Sequence, residues 1–171
     1  MMKVLIGIVD DHAITRRGIK TLLELTNKYK IIVEASGGKE LFTMLETAQT
    51  LPEILILDLS MPDSDGFQMI SQISSRYPSI KTLIFSLFQS EDVIINAIKK
   101  GAAGYVTKSS DPETLETAIQ NIVRYGFHIN EQIRKKITLE KAAKPVKGFH
   151  GKQVLTEKEI QFIRWASSNL T

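Results

Sequence analysis

Five polar side chains follow short apolar runs of the sequence and could do chemistry together: Asp10, Asp11, Asp58, Ser86 and Lys108. A carboxylate at the edge of a hydrophobic core is costly unless a cation or hydrogen bonds compensate its charge. Three carboxylates in one crevice would also raise one another's pKa values, and Mg²⁺ would neutralise them because it prefers oxygen ligands. Lys108 would add a positive charge and Ser86 a hydroxyl donor. The set is typical of a phosphoryl pocket in which Asp58 accepts the group.

These side chains can meet only if the strands that precede them are neighbours in one sheet. Apolar runs predict strands at Lys3–Val9, Lys30–Ala35, Glu53–Asp58, Ile80–Ser86 and Gly104–Thr107. Amphipathic segments predict helices at 13–27, 38–48, 65–77, 91–100 and 112–125. Asp111 is expected to cap the last helix, and Pro112 suits its first position.

The alternation of strands and helices predicts an α/β fold, with helices on both faces of a doubly wound parallel sheet. The expected architecture is a flavodoxin-like (βα)5 fold with a helical C-terminal extension. In its strand order 2-1-3-4-5, the first and third strands are adjacent, and ligands bind beyond the carboxyl ends of the strands. The candidate residues all follow such ends.

Composition places the chain among globular proteins. Its 171 residues, 43% of them hydrophobic, suffice for one domain of ordinary size and a small additional piece. No apolar run reaches the roughly 18 residues that a membrane span needs, and no secretory signal is visible. We therefore expect a cytoplasmic protein without a membrane partner. The absence of cysteine excludes disulfides, a thiolate nucleophile and cysteine-bound metal.

Charge is distributed unevenly along the chain. Residues 1–125 hold 13 Lys and Arg against 15 Asp and Glu, a net charge of −2. Residues 126–171 hold 9 against 4, a net charge of +5. A basic tail suits approach to nucleic acid, and it equally suits a solvated linker.

Taken together, the motifs resemble the receiver domain of two-component response regulators. The matching residues are the pair Asp10-Asp11, Asp58 followed by MPDSDG, Ser86, and Tyr105 three residues before Lys108. The resemblance covers residues 1–126. It implies that Asp58 accepts a phosphoryl group from a phosphohistidine of a sensor histidine kinase, with Mg²⁺ as the cofactor. It further implies a phosphoacceptor rather than an enzyme, with at most slow self-dephosphorylation.

The resemblance also implies a metal site. Asp11, Asp58 and the backbone carbonyl of Ser60 would hold Mg²⁺, and Asp10 would act mostly through water. Pro62 would shape the loop beside this site.

Other matching positions imply phosphoryl binding and switching. Lys108 and Ser86 would bind the phosphoryl oxygens, and Gly66 would shape the same loop as Pro62. Ser86 would swing toward the attached group and Tyr105 would follow it inward, which is a two-state element controlled by a local charge. Homodimer formation on phosphorylation is a further expectation from the family.

The C-terminal part divides into two segments. The helical period weakens over 127–154, where Lys, Gly and Pro accumulate, so we predict a linker. Residues 155–171 predict a helix that opens with the capping box Thr156 and Glu159, and LTEKEI resembles the first helix of a LuxR/NarL-type helix-turn-helix domain. The DNA-reading helix of such a motif comes second. The expectation is a shortened form, with DNA binding and control of transcription only in a full-length form.

Alternative interpretations remain for single residues. The acidic pair could simply start a helix, Lys108 could be a surface residue, and Ser86 and Tyr105 could merely end a strand and pack. His12 adjoins the acidic pair, but a zinc or iron site would need a further nitrogen donor nearby.

Two rival functions also remain. A haloacid-dehalogenase type Mg²⁺-dependent phosphatase or phosphotransferase also uses an aspartyl phosphate, but its nucleophile lies in a DxD motif after the first strand. Here His12 stands two residues after Asp10. The other rival is a receiver-like interaction module that acts constitutively, without phosphorylation.

Overall fold

The computed structural model describes residues 2–62 and 64–129. The described residues up to His128 belong to one compact unit. Most of the predicted linker and the whole of the predicted helix-turn-helix segment lie outside the described residues. The proposed division into 1–126, 127–154 and 155–171 therefore stays a prediction.

Five parallel strands form the sheet. They are β1 (Val4–Val9), β2 (Tyr29–Ala35), β3 (Ile54–Leu57), β4 (Lys81–Ser86) and β5 (Gly104–Thr107). Their order is β2-β1-β3-β4-β5, with every neighbouring pair parallel. The predicted flavodoxin-like α/β fold is confirmed.

Five helices alternate with the strands. They are α1 (Ala13–Leu25), α2 (Gly38–Thr47), α3 (Gly66–Arg76), α4 (Glu91–Lys99) and α5 (Pro112–Tyr125). The predicted bounds of strands and helices differ from these by at most two residues. None of the helices in the described ranges has the length and apolar character that a membrane crossing requires.

The expected start of α5 is confirmed in position, with Pro112 as its first residue, but the expected capping hydrogen bond is not formed. Asp111 occupies the N-cap position of α5, but its side chain makes no capping hydrogen bond. A capping hydrogen bond is found at α3, where Oδ1 of Asp65 accepts from the backbone N–H of Phe67 at 2.9 Å and of Gln68 at 3.1 Å.

Apolar side chains cover both faces of the sheet. The four residues of β3 are all buried. Leu55 and Leu57 pack into a cluster with residues of α2 and α3, whereas Ile54 and Ile56 pack into a second cluster with residues of α1 and α5. Burial on both faces explains why β3 is a continuous apolar run rather than an alternating one. Polar residues can therefore appear only where the strand ends.

Candidate functional site

The register of β1 and β3 brings two carboxylates together. Val9 pairs with Leu57 at the carboxyl ends of these strands. The backbone N–H of Asp58 donates to the carbonyl of Val9 at 2.9 Å, so Asp58 extends the pairing one residue past the strand. Asp10 follows Val9 in the same way. Both side chains are buried, with 2% of each residue exposed.

The register of β4 and β5 brings the lysine to the same edge. Ser86 pairs with Thr107, and the backbone N–H of Lys108 donates to the carbonyl of Ser86 at 2.9 Å. Parallel strands place their carboxyl ends at one edge of the sheet, which is why residues far apart in sequence converge here.

Lys108 joins the two buried carboxylates. Its Nζ lies 2.6 Å from Oδ2 of Asp58 and 2.7 Å from Oδ2 of Asp10. Only 12% of the lysine side chain is exposed. A buried carboxylate at a strand end is tolerable because this ammonium compensates its charge.

The contacts of Asp58 keep it ionised. Burial by itself would raise the pKa of Asp58, but the hydrogen bonds from Lys108 and from the N–H of Ser60 outweigh it and hold the pKa below its usual value. Burial would likewise lower the pKa of Lys108, and the bonds to Asp10 and Asp58 raise it instead. The nucleophilic form of the carboxylate is therefore present at neutral pH.

Asp11 completes an acidic cluster. One ligand atom from each of Asp10, Asp11, His12 and Asp58 lies within 4.8 Å of the others. Oδ1 of Asp11 is buried and makes no hydrogen bond within the described structure. His12 Nδ1 approaches it to 2.8 Å, which is ion-pair distance without hydrogen-bond geometry.

This cluster fits a magnesium ion. One ammonium contacts two of the three carboxylates, so negative charge remains in excess, and one carboxylate oxygen has no donor. Oxygen ligands and a partly open carboxylate suit Mg²⁺, which keeps several waters. His12 is 65% exposed on its side chain. His128, the other described histidine, pairs with Gly104 at the start of β5, so no second nitrogen donor from the described residues supports zinc.

The two candidate switch residues each have a defined partner. Ser86 is fully buried, and its hydroxyl lies 3.2 Å from that of Ser60. The hydroxyl of Tyr105 donates to the backbone carbonyl of Phe88 at 2.8 Å. Burial raises the pKa of Tyr105 to about 12, so the phenol keeps its proton and can donate. Tyr105 is thereby linked to the segment that follows Ser86.

Gly66 packs against the loop that carries Ser60. A Cβ at Gly66 would lie 2.9 Å from the Cα and from the Cδ2 of Leu59. Contacts this short with backbone atoms force the loop to shift. Pro62 lies in the same loop and is exposed. The loop-shaping role of both residues stays a prediction.

We expect Gly66→Ala to lower the free energy of unfolding by about 1–3 kcal/mol, because the added methyl group overpacks the loop. Urea denaturation measures this change. Gly18→Ala is the matched control, since Gly18 lies in α1 with open space around a Cβ, and there we expect a gain of about 0.5–1 kcal/mol. Equal stability of the two variants would contradict the assignment.

Arg16 contributes to this site although no sequence pattern points to it. Nη1 of Arg16, in the first turns of α1, donates to the backbone carbonyl of Asp10 at 2.6 Å. A contact with a main-chain atom requires no partner residue type, and sequence patterns therefore do not reveal it.

Comparisons with known proteins identify the family of this chain. The model of the response regulator receiver domain matches residues 6–120. The transcriptional regulatory protein YdfI of Bacillus subtilis is 31% identical over 170 residues, which cover 99% of this chain and 77% of that protein. DegU of Brevibacillus brevis is 26% identical over 138 residues, or 81% of this chain. The chain spans 58% of DegU, little more than half its length.

The comparison with solved structures also finds response regulators. A LuxR-family two-component response regulator from Aurantimonas sp. SI85-9A1 has a TM-score of 0.71 and 32% identity, covering 82% of this chain and 99% of that chain. The family model spans more than half of the 171 residues, and YdfI is similar over nearly all of them. The chain therefore belongs to the response regulators of two-component systems, with a receiver domain of the kind found in LuxR-type regulators.

Proposed function

We propose that Asp58 is the phosphoacceptor of this receiver and that phosphorylation switches the regulator between two states. The observation that carries the proposal is the bridge from Lys108 to the buried carboxylates of Asp58 and Asp10, with Asp11 in the same cluster. This arrangement supplies an ionised nucleophile, a fixed positive charge and, at Asp11, a carboxylate oxygen that accepts no hydrogen bond from the described residues.

In the proposed reaction a carboxylate oxygen of Asp58 forms a bond to phosphorus while the bond from phosphorus to the donor breaks. With a sensor histidine kinase as the donor, the broken bond is that to the histidine nitrogen, which leaves with the bonding pair. Lys108 stays beside the acceptor and contacts the phosphoryl oxygens, which develop charge during transfer. Positioning and charge neutralisation are the main requirements of such a step.

We assign the metal site to Asp11, Asp58 and the backbone carbonyl of Ser60, with Asp10 acting through water. Bound Mg²⁺ would neutralise charge on the phosphoryl oxygens. The unbonded Oδ1 of Asp11 supports the assignment. Asp10 is fully engaged by other groups, because Lys108 binds its Oδ2 and the N–H of His12 binds its Oδ1.

Ser86 and Tyr105 form the switch in this proposal. A phosphoryl oxygen on Asp58 offers the hydroxyl of Ser86 a charged acceptor in place of Ser60, and charge-assisted hydrogen bonds are the stronger. Movement of Ser86 displaces the segment through Phe88, which removes the acceptor of Tyr105. The aromatic ring is then free to follow inward.

The output of the switch is control of transcription. YdfI and DegU are both named transcriptional regulatory proteins. We propose that this regulator acts in the cytoplasm, with a sensor histidine kinase as phosphodonor and DNA as a partner of its full-length form. Phosphorylation-dependent homodimers fit the same scheme. The chain is a phosphoacceptor that dephosphorylates itself at most slowly, and it does not turn over substrates.

The test is to incubate the chain with Mg²⁺ and a small acyl phosphate and to measure its intact mass. We expect one phosphoryl adduct, carried by the peptide that contains Asp58, and no adduct when EDTA replaces Mg²⁺. Rapid turnover of a phosphomonoester would favour a phosphatase of haloacid-dehalogenase type. No adduct from either an acyl phosphate or a phosphohistidine donor would favour the constitutive interaction module.

A further inference from the structure

Arg16 contacts the main chain between the two N-terminal carboxylates. Its Nη1 donates to the carbonyl of Asp10 at 2.6 Å, a short distance typical of charge-assisted hydrogen bonds. The carbonyl belongs to the peptide group that joins Asp10 to Asp11. Arg16 therefore restricts rotation of that peptide plane.

The other polar groups of Asp10 are fixed as well. Its N–H donates to the carbonyl of Ala35 at 3.2 Å, its Oδ1 accepts from the N–H of His12 at 2.8 Å, and its Oδ2 contacts Lys108 at 2.7 Å. With the carbonyl bonded to Arg16, both backbone polar groups and both carboxylate oxygens of Asp10 have partners. These contacts restrict the orientation of the peptide group that leads into Asp11.

The side chain of Asp11 is held less firmly than that of Asp10. Its Oδ1 makes no hydrogen bond in the described part of the chain and lies 2.8 Å from Nδ1 of His12, whose side chain is itself 65% exposed, and the Asp11 side chain is 30% exposed. Its position in the acidic cluster therefore depends on the backbone that Arg16 holds. Removing a group that orients a metal ligand in this way commonly weakens metal binding 10- to 100-fold.

We infer that Arg16 is a positioning residue that aims the Asp11 carboxylate at the divalent-cation site. The inference deepens the proposed function and rests on it. Charge and geometry act in opposite directions here: a guanidinium near a cation site repels the cation, whereas a correctly aimed carboxylate attracts it. The sign of the change in Mg²⁺ affinity on removing Arg16 therefore separates the two effects.

Arg16→Gln and Arg17→Gln form a matched pair, because Arg17 is the next residue of α1 and is exposed. Both variants lose one positive charge from the same helical turn. Calorimetric titration with Mg²⁺ should show a dissociation constant about 10-fold higher for Arg16→Gln than for the wild type. For Arg17→Gln we expect an unchanged or slightly lower constant. Arg16→Lys keeps the charge and one donor, so its constant should lie between those of the wild type and Arg16→Gln.

A second measurement separates positioning from general damage. The rate of adduct formation from a small acyl phosphate should fall in Arg16→Gln at limiting Mg²⁺ and recover at saturating Mg²⁺. Circular dichroism verifies that the variants are folded. If Arg16→Gln does not fold, the inference is tested with Arg16→Lys alone. A Mg²⁺ affinity of Arg16→Lys equal to that of the wild type then overturns the inference.

The remaining outcomes are distinguishable. If Arg16→Gln and Arg17→Gln bind Mg²⁺ within twofold of each other, the positioning role is wrong while the proposed function stands. A rate defect that persists at saturating Mg²⁺ likewise overturns the positioning role. If the wild-type chain neither binds Mg²⁺ nor forms an adduct, the proposed function itself fails.

Discussion

Asp58→Asn is expected to reduce phosphoryl adduct formation to background at any Mg²⁺ concentration. A carboxamide is neutral and cannot form the acyl phosphate, and Asp10, the other carboxylate that Lys108 contacts, is not available to replace Asp58. Asp10 is already bonded through both oxygens to Lys108 and to the N–H of His12. Intact-mass measurement after incubation with an acyl phosphate and Mg²⁺ gives the result directly.

The fold should survive this substitution. Asp58 accepts from Lys108 and from the N–H of Ser60, and an amide oxygen can replace only one of these two acceptors. The orphaned donor costs about 1–3 kcal/mol, but Lys108 keeps Asp10, and relief of repulsion among the carboxylates offsets part of the cost. Circular dichroism and urea denaturation check this point.

Asp65→Asn is the matched control for Asp58→Asn. Asp65 lies in the same loop region, but its carboxylate caps α3 through the N–H groups of Phe67 and Gln68. Asn caps helices as well as Asp does, so this variant should keep both its stability and its adduct. An adduct of wild-type yield on Asp58→Asn would place the acceptor elsewhere and remove the basis of the proposed switch.

The sequence predicted the sheet and the composition of the acidic cluster because both follow from local patterns. Apolar runs of four to seven residues, each followed by a polar residue, mark buried parallel strands and their carboxyl ends. β5 was predicted with the bounds Gly104–Thr107 that the structure has. Burial of β3 on both faces leaves Asp58 the first position where a charge is tolerated.

Side-chain partners were less predictable, because they depend on neighbours that are distant in sequence. Asp111 and Asp65 are equally good capping residues by type, yet only Asp65 makes capping hydrogen bonds. The bridge from Lys108 to Asp10 and Asp58 joins residues that are distant in sequence, and the expected contact of Lys108 with phosphoryl oxygens stays a prediction. The contact of Arg16 with a backbone carbonyl leaves no pattern at all.

Lys108 has consequences for stability as well as for chemistry. In the absence of Mg²⁺ its ammonium compensates the carboxylates of Asp10 and Asp58. The side chains of these two residues are 2% and 1% exposed, respectively. Removing one partner of a buried ion pair costs about 3–5 kcal/mol because the remaining charge is left uncompensated. In EDTA we therefore expect Lys108→Met to lower the free energy of unfolding by about that amount, as measured by urea denaturation.

Lys20→Met is the control for this loss. Nζ of Lys20 lies 2.6 Å from Oε1 of Glu34, the same distance as that between Lys108 and Asp58, but these side chains are 40% and 35% exposed. Exposed pairs contribute about 0–1 kcal/mol because water screens them. Because the two ion pairs have the same N–O distance, a difference in the loss of unfolding free energy between Lys108→Met and Lys20→Met reports the effect of burial.

Magnesium should restore much of the stability that Lys108→Met loses. The uncompensated carboxylates attract a cation more strongly than the wild-type cluster does, so the variant should bind Mg²⁺ more tightly, and binding to the native state raises its free energy of unfolding. Saturating Mg²⁺ should therefore stabilise Lys108→Met more than the wild type, while Lys20→Met follows the wild type. Equal losses for the two lysine variants in EDTA, or equal gains from Mg²⁺, would show that Lys108 does not compensate the acidic cluster.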